Sequence, residues 1–456
     1  MKPDFYPPGP SSISSIGAYL KLFQDPLSFL MQASRKYGDI CCMRLGARQD
    51  YLINHPELIK QVILSPEIYE RSTSRALRKI MGKGLLTADL ESHSQQKRCL
   101  QPAFQKQGML EYSSTICTMV EQFNHTLEEQ ETIDVAKAMN HLALEIVVRT
   151  LLGVEMSRQE EQIIEAIETI KCLTDQKKSA FIDPLLSKLP LPQSIAYQKA
   201  CQCLDQKVYE IIQKKREQPL QGCDLVTTLL KAMDIQDCPF LSDQLVRDEV
   251  MTMFMAGHET VASAMTWTWY LLSQNHEVEK HFHAELDEIL GEGPIQAEHV
   301  AKLPYTRKIL LESMRIYPPV WLIVRHPLVD TQLGGYTIPA GSYVHLCQYT
   351  MHRDPRYFPD PEKFDPERWT PEAVAKRPKF SYFPFGGGKR QCIGEAFAMT
   401  EGIIVLASLG RKWVLRQVSK DPIRLDPLIT LRPRNGLRMG LKKRSGKVTD
   451  EFLPRV

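Results

Sequence analysis

One cysteine, Cys392, closes a glycine-rich run, Phe383-Pro384-Phe385-Gly386-Gly387-Gly388-Lys389-Arg390-Gln391-Cys392-Ile393-Gly394, and an amphipathic helical pattern follows over 395–413. Consecutive glycines admit positive φ and let a flat ligand press close to the backbone. A following helix N-terminus and nearby cations favour thiolate over thiol, and backbone N–H groups around a sulfur tune it further. Thiolate is what haem iron takes as an axial ligand, and Arg390, two residues before the sulfur, suits a propionate carboxylate. A competing reading is a phosphate-binding glycine loop with an incidental cysteine. The run lacks the Lys-Ser/Thr ending of a nucleotide P-loop, and no strand plainly precedes it. The residues alone leave both readings open.

Around this loop the chain reads as mainly helical. Residues 40–54 alternate as two strands about a turn at Gly46, and His55-Pro56-Glu57 opens a helix with proline in its first turn. Residues 71–92 show no clear period and read as a long loop. From about 91 to 230 the pattern is helical, broken by a Pro-rich linker over 181–195. A long helical stretch over 242–290 starts behind Ser242 and Asp243, a cap and a favourable first-turn charge. A helix over 305–317 must end at Pro318-Pro319. Short strands follow over 322–348, irregular chain over 352–388, and a hairpin turn at Asn435-Gly436. The class is mainly α with some β (α+β), in one large domain.

Bulk properties exclude several functions. A net charge of +3 on 456 residues argues against a nucleic-acid binder, which carries a strongly basic face. A spanning helix needs about 20 apolar residues in a row, and no such run exists, so no transmembrane anchor is expected. Pro3, Pro7, Pro8 and Pro10 interrupt any signal peptide. Eleven scattered cysteines, with no Cys-x-x-Cys pair, suit a reducing cytoplasm and mostly free thiols.

Three further clusters carry chemistry or its bland equivalent. Ala256-Gly257-His258-Glu259-Thr260 sits inside the long helix, where a glycine costs about 1 kcal/mol relative to alanine. Room for a ligand would justify it, and a mid-helix Thr hydroxyl can bond the carbonyl four residues back. Zinc binding through His-Glu-x-x-His is excluded, because Ala262 stands at the second His position. Glu312 and Arg315 share a helix face, which by itself suits a solvated surface pair. His93 and Lys97 lie one turn apart, as a solvated helix face also would.

Phe385-x-x-Gly388-x-Arg390-x-Cys392-x-Gly394 resembles the haem-binding loop of the cytochrome P450 family. The segments at Ala256–Thr260, Glu312–Arg315 and Pro366-Glu367-Arg368-Trp369 are similar to other motifs of that family, in its order, from about residue 90 to the C-terminus. The resemblance implies the cytochrome P450 fold, a large helical domain with smaller β-sheet regions, as a single domain over 1–456 without a fused reductase. It implies non-covalent haem b, with Cys392 as axial ligand to iron and Phe385, Gly388, Arg390, Gly394, Ala256 and Gly257 around the cofactor. His93, Lys97 and Arg325 become propionate partners; Lys97 replaces the usual Arg, keeping charge without the fork. Thr260 becomes the distal hydroxyl and Glu259 the proton relay. Glu312, Arg315 and Arg368 become a structural network behind the cysteine loop, and Trp369 replaces a frequent Phe as a tolerable aromatic swap.

The implied function is a haem-thiolate monooxygenase that inserts one oxygen atom of O2 into an apolar substrate, a fatty acid, terpenoid or steroid-like molecule. The pocket would be walled by 71–88, parts of 171–200, 252–260, Val320–Val324 and Leu428–Leu431. Electrons would come from a separate ferredoxin or flavodoxin with its reductase, steered by Lys97, Arg98, Lys389 and Arg390 on the cysteine side. The protein is expected to be a soluble cytoplasmic monomer, with room for weak peripheral membrane contact. A reductase-independent peroxygenase or isomerase is the alternative, with a non-catalytic haem sensor behind it; the intact Glu259-Thr260 pair favours the monooxygenase.

Overall fold

A computed structural model of the chain describes residues 6–10, 24–45, 48–154 except 74, 192–217, 220–234 and 238–444 except 292 and 420, with scattered positions in 17–22 and 162–170. The principal helices are α1 (Pro26–Tyr37), α2 (Pro56–Leu64), α3 (Arg75–Met81), α4 (Leu90–Leu100), α5 (Lys106–Thr126), α6 (Val135–Leu151), α7 (Pro192–Arg216), α8 (Leu225–Asp234), α9 (Asp243–Gln274), α10 (His276–Leu290), α11 (Pro304–Ile316) and α12 (Glu395–Lys412). The strands are β1 (Ile40–Leu45), β2 (Arg48–Ile53), β3 (Tyr69–Arg71), β4 (Thr132–Asp134), β5 (Ile323–Pro327), β6 (Thr331–Leu333), β7 (Tyr336–Ile338), β8 (Tyr343–Leu346), β9 (Trp413–Gln417), β10 (Leu425–Pro427), β11 (Leu431–Pro433) and β12 (Arg438–Lys443). Helices dominate and the sheets are small, as the pattern predicts. The Pro-rich linker and the 171–200 pocket wall lie outside the described residues up to 191.

Helix α9 is the axis of the helical part. Ser242 caps it, its hydroxyl accepting from the Leu245 N–H at 3.2 Å. Val246, Phe254, Val261, Trp267 and Leu272 are buried, as are Met251, Met255, Thr252 and Thr266 on its other faces, and a helix buried all round belongs in a core rather than at a surface. The expected stretch over 242–290 is two helices. Asn275 separates them (φ −130°, ψ 80°), and its side-chain amide donates to the Leu271 carbonyl at 2.7 Å, a local bond that competes with helix continuation. Helix α6 crosses α9 so closely that a Cβ on Gly257 would stand 3.1 Å from Val147. The glycine thus also eases helix-on-helix packing, a reason beside the room for a ligand expected from sequence.

The larger sheet has the order β1-β2-β8-β5-β3, with β2–β8 parallel and the other pairs antiparallel. Its β3–β5 register sets Arg71 opposite Arg325. Separate sheets pair β10 with β11, β6 with β7, and β4-β12-β9 in that order. The turn at Asn435-Gly436 exists, with Gly436 at φ +74°, but it joins two sheets rather than two arms of one hairpin. The strand after it pairs with β4 over three residue pairs and with β9 over five.

The long loop expected over 71–92 instead holds the end of β3, helix α3 and the start of α4. Helix α3 is too short to show a period and is clamped from outside: Arg247 donates to the Ile80 carbonyl at 2.9 Å and Asp248 accepts from the Lys83 N–H at 2.8 Å. Cys41, Cys42, Cys117, Cys203, Cys223, Cys347 and Cys392 carry free thiols, whereas Cys99 of α4 and Cys238, ahead of α9, form a disulfide with a sequence separation of 139. Cross-linking a loop of that length removes chain entropy worth about 5 kcal/mol from the unfolded state. Thiol titration of the protein unfolded without reductant should therefore miss two of the thiols found with it, and Cys238→Ser should unfold at lower temperature than wild type. Equal thiol counts under both conditions would disprove the bridge.

Candidate active site

The cysteine loop is a set of tight turns closed on itself. Gly386 and Gly388 take φ of 71° and 62°, values that burden any side chain. The Gly386 N–H donates to the Phe383 carbonyl and the Cys392 N–H to the Phe385 carbonyl, both at 3.0 Å. Helix α12 starts behind Gly394. The Cys392 side chain remains exposed while protein packs densely around it. Burial pushes its thiol up; the Gly394 N–H, Lys97 and Arg71 pull the other way. Lys97 reaches the loop itself, its amine donating to the Lys389 and Gln391 carbonyls at 3.3 and 3.2 Å. It braces the loop in addition to lending charge to the site.

Three arginines and a neutral histidine, buried or half-buried, gather near this sulfur. Arg325 is buried, and burial with the Arg71 and Arg390 charges draws its pKa down to about 9. Arg71 is drawn down to about 10 by burial and Arg390, with Cys392 among the groups it feels. Arg390 donates one nitrogen to the Ala88 carbonyl at 2.9 Å, but its buried Nη1 has no partner. His93 is buried with a partnerless Nδ1, and burial with Arg390, Lys97 and Arg71 lowers its pKa to about 3. Among the described residues no carboxylate lies within ion-pair distance of Arg71, Arg325 or Arg390. Buried charges are normally paired, so this arrangement suits an anionic ligand. Sequence reading found His93, Lys97, Arg325 and Arg390 and missed Arg71. Its signal was the tertiary register opposite Arg325, which no local pattern reveals.

On α9 the burial breaks at Ala256, Gly257 and Thr260. Ala256 and Thr260 lie one turn apart, and the Thr260 hydroxyl donates to the Ala256 carbonyl at 2.9 Å, as expected for a mid-helix threonine. Glu259 is buried and turns elsewhere, accepting from the Thr430 hydroxyl at 2.6 Å. Thr430, which the sequence did not single out, lies on the turn after β10. The apolar walls expected there hold Met253 buried, Ile323, Val324 and Leu428 half-buried, and Ile429 exposed.

Behind the cysteine loop Glu312 and Arg315 are both fully buried, paired at 2.9 and 2.8 Å. Arg368 adds an ion pair to Glu312 at 3.3 Å, and the Asp365 N–H donates at 3.0 Å. The Trp369 indole donates to the same carboxylate at 2.9 Å, a bond no phenylalanine could make, so this residue is more than an aromatic swap. Arg315 also donates to the His352, Pro361 and Lys363 carbonyls at 3.0, 2.7 and 3.1 Å.

Comparison with known proteins agrees with this geometry. The family described as Cytochrome P450 matches residues 7–437. Cyclooctatin synthase of Streptomyces melanosporofaciens is 35% identical over 92% of this chain and 92% of its own length. Cyclooctat-9-en-7-ol 5-monooxygenase of the same organism is 34% identical over 90% and 89%, and pentalenene oxygenase of Streptomyces avermitilis 30% over 96% and 97%. The crystal structure of the cytochrome P450DA heme domain superposes with a TM-score of 0.86 at 24% identity, over 96% of this chain and 97% of that one. The chain belongs to the cytochrome P450 family of monooxygenases, with that family's fold. No helix among the described residues is long and apolar enough to cross a membrane.

Glu312→Ala should destabilise the protein by about 3–5 kcal/mol in urea or thermal unfolding, the usual penalty for stripping one partner from a buried pair. A loss near zero would mean that water reaches Arg315. Glu249 on α9 gives a pH test. It is fully buried, accepts from the Leu85 N–H at 2.9 Å, and burial raises its pKa from 4.5 to about 8. The folded state then binds the extra proton between these values, so stability falls as pH rises through that window. Glu249→Gln keeps an acceptor for Leu85 and should flatten this slope when unfolding is measured across the window; an unchanged slope contradicts the assignment.

Proposed function

We propose that this chain is a haem-thiolate monooxygenase for an apolar terpenoid, acting as one domain over 1–456 with electrons from a separate protein. The observation that carries the reading is the convergence of Arg71, Arg325, Arg390 and His93 beside the one loop cysteine, with Asp89 and Glu70 acting on Arg390 only from beyond ion-pair distance. These groups fit the two carboxylates of haem b. Among the described residues no set of three His, Cys, Asp or Glu could hold a metal ion. A metal at Cys392 would thus arrive inside a macrocycle that brings its own donors. Bound haem supplies oxygen activation, with thiolate ligation favouring O–O cleavage.

The chain's own residues do the rest. Cys392 would hold the haem iron through its sulfur, in a loop whose glycines keep the backbone close and whose Phe385 carbonyl takes the Cys392 N–H. Ala256 on α9 would leave room beside a bound haem, and the Thr260 hydroxyl, which now donates to the Ala256 carbonyl, could turn to donate into that space. Glu259 would be the acid of the proton relay, and to reach the Thr260 hydroxyl its carboxyl would have to leave the bond it makes to Thr430 at Oε1. Met253, Ile323, Val324 and Leu428 form an apolar wall that excludes water and suits a hydrocarbon skeleton. The terpenoid choice, within the fatty acid, terpenoid and steroid-like range, follows the names of the relatives from Streptomyces.

Support for an acidic donor, a ferredoxin or flavodoxin, comes from the outside of the loop. A cleft of about 460 Å³ there is lined by Lys60, Leu64, Arg307, Lys379 and Glu395 among others. Lys389 and Arg98 are exposed as well, while Arg390 and Lys97 turn inward. An acidic surface would be steered to such a patch.

Reduced wild-type protein under carbon monoxide should show the red-shifted Soret band of thiolate ligation, and Cys392→Ala should lack it. Terpenoid hydrocarbons or alcohols should shift the ferric spin state at lower concentration than fatty acids. A thiolate band that survives in Cys392→Ala overturns the ligand assignment, and tighter fatty-acid binding overturns the substrate choice.

A further inference from the structure

His352 is completely buried and stands between the Glu312–Arg315 pair and the cysteine loop. Its carbonyl accepts from Arg315 Nη1 at 3.0 Å. Its ring Nε2 accepts from the Phe383 N–H, also at 3.0 Å. Phe383 heads the loop and its carbonyl takes the Gly386 N–H; two residues on, the Phe385 carbonyl takes the Cys392 N–H. A continuous set of hydrogen bonds and short backbone links thus runs from Arg315 through this imidazole to the amide of the cysteine. Tyr382 and Phe383 pack on the ring at 4.8 and 5.4 Å between centroids, which fixes its plane.

We propose that His352 is a positioning residue for the cysteine ligand: its neutral Nε2 anchors the start of the loop to the buried Glu312–Arg315 network. An imidazole that accepts at Nε2 carries its proton on Nδ1. Burial, together with the Arg315 and Arg353 charges, keeps the ring neutral, as an acceptor must be. An apolar side chain there would leave the Phe383 N–H buried and unsatisfied, the more costly way to lose a hydrogen bond. The loop would then gain alternatives to the turn that presents Cys392.

The inference rests on Cys392 being the haem ligand. Haem-loaded wild type is compared with His352→Gln, whose amide oxygen can stand in for Nε2, and with His352→Leu, which has no acceptor. The readouts are the thiolate-type Soret band of the reduced carbon monoxide complex, its rate of loss in dilute urea, and the ferric/ferrous midpoint potential. His352→Leu should lose the band on the order of tenfold faster, in keeping with one unsatisfied buried donor, and its potential should move; His352→Gln should recover most of both. A leucine variant that matches wild type overturns the proposal. So does a glutamine variant as impaired as leucine, because packing alone would then explain the effect. Native-state hydrogen exchange needs no variant: the Phe383 amide should be protected like the amides of α11, and exchange as fast as in the exposed 328–330 loop overturns the anchor. Wild type without a thiolate band would sink the Cys392 assignment instead, and the exchange result would still decide the anchor.

Discussion

Taking a carboxylate fully out of water is unfavourable unless donors replace its hydration, and Glu312 is surrounded by them. Two come from Arg315, one from the Trp369 indole and one from the Asp365 amide, with Arg368 alongside. They arrive from α11 and from the irregular chain between β8 and the cysteine loop. That chain has little regular structure of its own, so these bonds are what give it a shape. Arg315 also donates from Nη1 to the His352 and Pro361 carbonyls and from Nη2 to the Lys363 carbonyl, extending the hold toward Phe383. Two features of the structure bear on the position of Cys392: the loop glycines permit its turns, and the buried pair reaches toward them through His352.

The other side of the site is built on the opposite electrostatic logic. Arg71 and Arg325 come side by side because β3 and β5 are in register, Arg390 comes from the cysteine loop, and His93 from the buried face of α4. The Arg390 charge lowers the proton affinity of Arg71, Arg325 and His93, and the Arg71 charge that of Arg325 and His93. Such a group of cations is unfavourable in isolation and becomes favourable only around an anion. The two halves of the site thus divide their work. One is an internally satisfied network that sets geometry, and the other is a set of donors left for a cofactor. Helix α9 joins them, carrying Thr260 on one face and packing on α6 through Gly257.

Much of this could be read from the residues. The strands β1 and β2, the Pro56 helix, the Ser242 cap and α12 follow from local alternation, capping and turn chemistry. So do the Thr260–Ala256 bond and the pairing of Glu312 with Arg315, which span one helical turn and need no tertiary information. What failed were features whose cause lies elsewhere in the chain. Helix α3 looked like loop because Arg247 and Asp248, far along the sequence, hold it. The Asn435-Gly436 turn was legible, but the choice of partner for β12 was not.

The sequence by itself determined the local elements, the cysteine in its glycine loop and the family, because periodicity, caps and a tightly spaced motif are properties of neighbouring residues. Only the tertiary structure decided that Arg71 joins the cation cluster, that Thr430 holds Glu259, that Trp369 donates to Glu312, and that His352 bridges to the loop. Each of these depends on register or burial between segments tens to hundreds of residues apart. A carboxylate, an indole or an imidazole acquires its role only when folding removes water and leaves one particular partner within reach.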